Sequence, residues 1–431
     1  MTDQSTPIFI LADDLTGAAD AANYFRTPER RVRIGFDSAM PWDFRLTHET
    51  VQVFDAETRH LSPEDSFGKV LHACTHITQA SPGALVYKKV DSTLRGNIGA
   101  EIEAAVRGLN RNIAVLAPAF PAGGRTVIGG VLYVHGVPVN ETAFANDPHH
   151  PILSANVAEH VRTKVAWPTV QLDLSTIRQG ADAVEHFLAD QGDGPVLIVA
   201  DTEVDEDLAV LAEVFSRDTT YLPCGSAGLA RQLAKVWTQS GGACDAAVGS
   251  RPPRAQRQLY VIGSANQLAR EQVQELQNKR VVRTLELSAT KVVDDVTAPD
   301  EIAAAIAQIA ADDADITVLT LSPERVSTVD RTRLVDALAQ VAKAWVHRLG
   351  ADFRRSEQPH LAVFATGGDT ALACCKAVGY TEIWPEGELL PGIPWSFVGG
   401  QDEKLTLVSK AGGFGDAQTL CSVVHRLCHE A

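Results

Sequence analysis

The sequence predicts an α/β protein of two domains, each a mostly parallel sheet flanked by helices, with the active site in the cleft between them. Three observations carry this prediction. Short apolar runs rich in β-branched residues alternate with longer segments of helical period, the pattern of parallel strands joined by crossover helices. The length of 431 residues exceeds the roughly 250–300 residues at which a single core stops growing. A Gly/Ser/Pro-rich stretch from Gln239 to Arg257 contains Ser240-Gly241-Gly242, Gly249-Ser250 and Arg251-Pro252-Pro253-Arg254, and it reads as a domain boundary. The expected domains are 1–240 and 258–431.

In the first half the expected strands are Ile8–Ala12, Val32–Phe36, Val51–Phe54, Ala84–Lys88, Ile113–Ala117 and Val196–Ala200. In the second half they are Leu259–Gly263, Val281–Glu286, Thr317–Leu321, Leu361–Thr366 and Leu405–Val408. Each is a short apolar run, as in strands buried on both faces. Pro121 to Thr126 and His135 to Thr142 read as a Gly-rich loop and a β-hairpin extension that could cover a site or pair between subunits, so a homo-oligomer stays open.

Composition excludes several classes of function. Lys and Arg number 38 against 54 Asp and Glu, a formal net charge of −16, so a simple basic nucleic-acid binder is excluded. At 45% hydrophobic and 21% charged residues the chain is not of disordered composition. The N-terminus has no basic n-region or small-residue cleavage site, and no apolar run approaches the roughly 18–20 residues of a membrane helix. The seven cysteines include no C-x-x-C pair, which suits a reduced cytoplasmic protein. Cys421, His425, Cys428 and His429 share a helix face, but four ligands along one straight helix cannot surround a tetrahedral zinc ion, and a packing helix is expected there.

In open α/β sheets ligands bind beyond the carboxyl ends of the strands. In the second half three strand–loop–helix turns are rich in small residues: Gly263-Ser264, Thr366-Gly367-Gly368-Asp369-Thr370, and Lys410-Ala411-Gly412-Gly413-Phe414-Gly415. Glycine lets the backbone approach an anion, and free N–H groups at a helix start point at phosphate. Three such turns in one domain indicate nucleotide phosphate binding, although neither a P-loop nor a dinucleotide fingerprint is present.

The first half concentrates charge at its strand ends. The first strand ends in Asp13-Asp14, either of which could accept a hydroxyl proton. Lys89, Val90, Asp91, Ser92 and Arg95 follow another strand. Asp91 or Ser92 is expected to cap a helix carrying Arg95 in its first turn, where a cation opposes the macrodipole unless an anion compensates it. Lys89, Arg95 and free N–H groups would suit a carboxylate ligand. Arg59 either joins this pocket or pairs with Asp55 or Glu57 on the surface.

Ala12-Asp13-Asp14-Leu15-Thr16-Gly17, Lys88-Lys89-Val90-Asp91-Ser92-Thr93-Leu94-Arg95-Gly96-Asn97, Gly225-Ser226-Ala227-Gly228, Thr366–Thr370 and Lys410–Gly415 occur in one order along nearly the whole chain. Together they resemble the four-carbon acid sugar kinase family. The resemblance implies ATP-dependent phosphorylation of the terminal hydroxyl of acids such as threonate, erythronate or 3-oxo-tetronate, with an N-terminal acid-sugar domain, a C-terminal ATP domain and Mg²⁺. By motif, Asp13, Asp14, Arg59, Lys89, Val90, Asp91, Ser92 and Arg95 would face the sugar acid. Ser264, Gly367, Gly368, Asp369, Thr370, Gly412, Gly413, Phe414 and Gly415 would face ATP.

The expected mechanism is in-line transfer. Arg59, Lys89 or Arg95 holds the substrate carboxylate, and Asp14, or failing it Asp91, takes the hydroxyl proton. The metal's protein ligands are left unassigned, since magnesium binds mainly through phosphates. Two other readings remain open at this level. One is a phosphatase built on the Asp pair, although Leu15 stands where an Asp-x-Asp nucleophile motif needs its second acid. The other is a non-catalytic two-lobed ligand-binding protein.

Overall fold

The computed structural model describes residues 6–36, 50–147, 150–162, 167–192, 194–238, 251–264, 266–311, 313–324, 331–350, 360–390, 392–399, 405–410 and 414–428. The chain forms two compact units, Met1–Asp245 and Ala246–Ala431.

In the first unit the strands are β1 (Ile8–Ala12), β2 (Arg31–Gly35), β3 (Thr50–Asp55), β4 (Leu85–Lys89), β5 (Ile113–Ala117), β6 (Arg125–Ile128), β7 (Val131–Val134), β8 (Val137–Pro138), β9 (Thr169–Leu172), β10 (Val196–Ala200) and β11 (Leu222–Gly225). The main sheet runs β2-β3-β1-β4-β11-β5-β10-β9, and its pairs are parallel. Strands β1, β4, β5 and β10 are buried along their full length, which is why β1, β5 and β10 read as unbroken apolar runs, whereas β4 ends in Lys88-Lys89. Helices α1 (Leu15–Phe25), α2 (Pro63–Ala80) and α3 (Ile98–Gly108) follow β1, β3 and β4. From α2, Val70, Ala73, Cys74 and Ile77 enter one core with Ile102, Ala105 and Val106 of α3.

Strands β9 and β11 lie outside the sequence expectation. The four residues Leu222-Pro223-Cys224-Gly225 sit between β4 and β5, although Pro and Gly are poor residues for a central strand. Pairing on both sides holds this short segment extended, a tertiary effect that local pattern does not contain. The hairpin extension forms the antiparallel sheet β6-β7-β8. It is tied to the main body by Gly129 and Gly130, whose N–H groups each donate to Asp201 at 2.8 Å.

In the second unit β12 (Arg257–Ile262), β13 (Arg283–Leu287), β14 (Ile316–Leu321), β15 (Leu361–Thr366) and β18 (Leu405–Lys410) form a parallel run in the order β13-β14-β12-β15-β18. Strands β16 (Glu382–Leu390) and β17 (Ile393–Val398) extend it antiparallel. These two also went unread in the sequence, because Pro385-Glu386-Gly387 looks like a turn; the register shifts there instead. The helix Thr419–Cys428 buries Leu420, Val423, Val424 and Leu427 in the core, with Cys421 and Cys428 packed against it. His429 lies outside the described residues.

Candidate active site

The carboxyl ends of β1, β3 and β4 are neighbours in the sheet, and this adjacency collects the charged residues of the first unit. Asp14 is the N-cap of α1 and accepts from Gly17 N–H at 2.8 Å, a capping bond that also fixes the carboxylate. Arg59, beyond β3, reaches back to both acids. Its Nε donates to Asp13 at 2.8 Å and its Nη2 to Asp14 at 2.9 Å, while Nη1 donates to the second Asp14 oxygen. Asp91 stands 3.8 Å from Nη2. Of the two sequence readings of Arg59, the pocket is the one observed; Asp55 instead accepts from Glu57 N–H. Lys89 is buried at the end of β4 and donates to Val90 O. A Cβ on Gly17 would lie 2.7 Å from Asp14 Oδ1 and 3.0 Å from Lys89 Nζ. Gly17→Ala is therefore expected to displace the Asp14 carboxylate and destabilise the first unit by about 1 kcal/mol, the equivalent of one lost hydrogen bond, as measured by thermal unfolding.

The segment after β4 differs from the sequence expectation. Asp91 does not cap a helix that carries Arg95 in its first turn. Helix α3 starts at Ile98, and Arg95 precedes it in a turn. Asp91 accepts from Thr93 N–H at 3.0 Å, the Thr93 hydroxyl, and Arg95 Nε at 3.1 Å and Nη2 at 2.9 Å. An aspartate that bonds the backbone two residues on makes a turn that competes with helix. Leu94 (φ 67°) and Gly96 (φ 95°) complete the reversal. Val90 is buried and Ser92 half-buried. The Asn97 side chain bonds Thr58 O, Leu61 O and Ser66 Oγ rather than capping α3.

The acids are electrostatically unlike. Burial pushes Asp13 up, but Arg59 and Lys88 hold it below the usual carboxylate range. Burial likewise opposes ionisation of Asp91, and Arg59, Arg95 and Thr93 outweigh it, holding that carboxyl well below the range. At Asp14 burial wins over Arg59, with Asp13 adding to the rise, and the group is pushed up to about 6. Burial pushes Asp55 well above its ordinary value, helped by Asp14.

Beside the loop after β4 lies a cavity of about 410 Å³, lined by Leu94, Gly96 and the first turn of α3 on one side and by His150, Ser154, Glu159 and His160 on the other. Gly96, one of its lining residues, also approaches the acids: a Cβ there would stand 3.1 Å from Asp13 Oδ2. His160 Nε2 is 2.9 Å from Leu94 O. His150 stacks on His60 at 5.5 Å, and burial and His60 hold its imidazole below its ordinary pKa. Sequence reading missed these histidines, since no motif marks them.

In the second unit β12, β15 and β18 are adjacent and parallel, so their carboxyl ends stand side by side. Ser264 N–H donates to Thr366 Oγ1 at 3.2 Å. Gly367 (φ 96°) donates to Lys410 O at 2.8 Å and begins the helix Gly368–Val378 without a side-chain cap, so the first-turn N–H groups remain for a ligand. Asp369 is exposed and Thr370 buried, with its Oγ1 2.6 Å from where a Cβ on Gly263 would lie. Phe414 is 43% exposed, and its carbonyl accepts from Lys410 Nζ at 3.0 Å and from Gln272. Gly415 has φ 85°. Gly412 and Gly413 lie outside the described residues. Among the described residues no group of three or more His, Cys, Asp or Glu is arranged to hold a metal, and no helix is long and apolar enough to cross a membrane.

Residues 8–233 match the family described as a sugar-binding N-terminal domain, and residues 259–420 the one described as a nucleotide-binding C-terminal domain. The chain is 32% identical to a D-threonate kinase of Salmonella typhimurium, over 97% of each chain. It is 28% identical to a D-erythronate kinase of Heliobacterium modesticaldum, over 97% of each. It is 27% identical to a 3-oxo-tetronate kinase of Brucella melitensis, over 94% of this chain and 92% of the relative. The fold is shared with a Haemophilus influenzae protein of solved structure, at a TM-score of 0.75 and 20% identity over 98% of this chain and all of that one. Matches spanning both units, with the acid cluster in one and the adjacent ends of β12, β15 and β18 in the other, lead to one conclusion: the chain belongs to the four-carbon acid sugar kinase family.

Proposed function

We propose that the protein transfers the γ-phosphoryl group of ATP to the terminal hydroxyl of a four-carbon sugar acid of the threonate, erythronate or 3-oxo-tetronate type, in the cytoplasm, where ATP is held. The observation that carries this reading is the convergence of three neighbouring acids, Asp13, Asp14 and Asp91, on Arg59 at the strand ends. A general base works best with a pKa near the working pH. Asp14, pushed up to about 6, meets that demand. Asp91, bonded to Arg95 and Thr93, does not, and its role is to hold the Arg95 turn. Asp13 fastens Arg59 against the base.

Arg59 has all three of its nitrogens committed to Asp13 and Asp14, so it orients the base rather than receiving the substrate carboxylate. Arg95 has the more exposed guanidinium, at 31%, and with the turn N–H groups beside the cavity it receives that carboxylate. Lys89, close to Asp14, steadies negative charge as the hydroxyl proton leaves. Ser264, the Gly367–Thr370 helix start and the Gly412–Gly415 loop take the triphosphate. Magnesium bound through those phosphates would supply charge neutralisation.

The test is ATP-to-ADP turnover across a panel of four-carbon acids, their lactones and neutral sugars. One acid is expected to dominate, with the lactones and neutral sugars silent because they offer Arg95 no carboxylate. Because Asp14 must be ionised to accept a proton, kcat is expected to fall as pH drops through about 6. Phosphate release from sugar phosphates without ATP, or acid binding indifferent to ATP analogues, would sink the assignment.

A further inference from the structure

We propose that Lys88, through its ion pair with Glu101, is a positioning residue that ties together the ends of β1 and β4 and so sets the placement and charge of the Asp13–Asp14 pair; this rests on the reading of Asp14 as the base. Lys88 and Lys89 are consecutive in β4 and point to opposite faces of the sheet. Lys89 turns towards Gly17 at the start of α1. Lys88 turns towards α3, where its Nζ lies 2.7 Å from Glu101 Oε2, with side-chain exposures of 0% and 2%. It also donates to Lys89 O at 2.7 Å and to Leu11 O at 3.4 Å. Three acceptors use all three ammonium hydrogens.

The two carbonyls define what the ammonium does. Leu11 is two residues before Asp13, and Lys89 is two residues before Asp91. One buried cation therefore grips both strands just where each departs into its acid-bearing turn. A wholly buried ion pair is a poor source of stability, and an apolar pair of similar volume often serves as well or better. Its effect on the site is electrostatic as well as mechanical. Asp13 is faced by Arg59, Lys88 and Lys89 as cations and by Asp14 and Asp55 as acids, and Lys88 is among the groups that keep it ionised. Asp14 is faced by Arg59, Lys89, Asp13 and Asp55. The Lys88 charge, set beside Asp13, favours ionisation of the Asp13–Asp14 pair as a whole.

The test pairs two variants with two readouts, the pH dependence of kcat and the carbon-detected NMR titration of the Asp13 and Asp14 carboxyls in selectively labelled protein. Lys88→Met combined with Glu101→Leu removes both charges and leaves no orphan. This double variant is expected to fold, to lose at least tenfold in kcat with KM for ATP unchanged, and to show the Asp pair and the acid limb of kcat moved to higher pH. Glu101→Gln keeps the volume and leaves Lys88 with an unopposed charge, so the pair and the limb are expected to move to lower pH. Opposite shifts are not produced by a merely structural role. A folded variant of either kind with wild-type titration and profile overturns the proposal. If the carboxyls shift as expected while Asp14→Asn turns over normally, the base assignment fails instead and the positioning role stands.

Discussion

Asp14→Asn is expected to reduce turnover by roughly 10²–10⁴-fold, the range for loss of a general base, while ATP binding stays intact. The amide is nearly isosteric and can still accept from Gly17 N–H, so α1 keeps its cap. On the proposed reading, what is lost is the acceptor for the hydroxyl proton. A carboxylate is also replaced opposite Arg59, whose Nη1 and Nη2 both serve Asp14. Isothermal titration with a non-hydrolysable ATP analogue separates the two effects, because the nucleotide loops lie in the other unit. Near-normal turnover would remove Asp14 from the role. The acid limb of kcat that ends near pH 6 in the wild type should vanish from the residual activity of this variant.

Arg59→Met is expected to abolish measurable turnover and to destabilise the first unit by about 3–5 kcal/mol, the usual consequence of removing one partner from a buried charge pair. The guanidinium is 12% exposed, and it serves Asp13 and Asp14 directly and stands near Asp91. Without it Asp13, now held below the usual range in part by this cation, must rise towards neutrality, and repulsion among the three carboxylates is relieved only by protonation. The sign of the pH dependence follows. In the wild type the depressed pKa values of Asp13 and Asp91 contribute stability above the ordinary carboxylate pKa, and this is lost as pH falls through the folded values. In the variant the raised acids instead favour the fold at low pH. Its deficit against wild type should therefore be larger at pH 8 than at pH 5 in thermal unfolding. An equal deficit at both would mean that Arg59 packs rather than compensates charge.

Much of this organisation was legible in the chain. The buried strands β1, β5, β10 and β15 fall on the residues expected, because a strand covered on both faces is a short unbroken apolar run and nothing else in the chain looks like it. The strands that escaped notice, β9, β11, β16 and β17, are short or interrupted by Pro and Gly. Strands β9 and β11 are held extended by neighbours distant in sequence, a cause that a local window cannot contain, while β16 and β17 pair with each other across a register shift. The helix start after β4 was misplaced for a related reason. Asp91 is an equally good helix cap and turn former, and its bonds to Thr93 and Arg95 decide between the two.

By itself the sequence determined which residue types stand at the strand ends: two adjacent acids after β1, a Lys-Lys…Asp…Arg cluster after β4, and three small-residue loops in the second half. Those identities are local, and so are the chemistries they permit. Only the tertiary structure decided which charge opposes which. The parallel order β3-β1-β4 brings Arg59 against Asp13 and Asp14 across 45 residues of chain. The depth of each carboxyl, together with the number of cations beside it, then separates a poised Asp14 from ionised Asp13 and Asp91. A pKa depends on distance and dielectric in three dimensions, and neither is written in the order of residues.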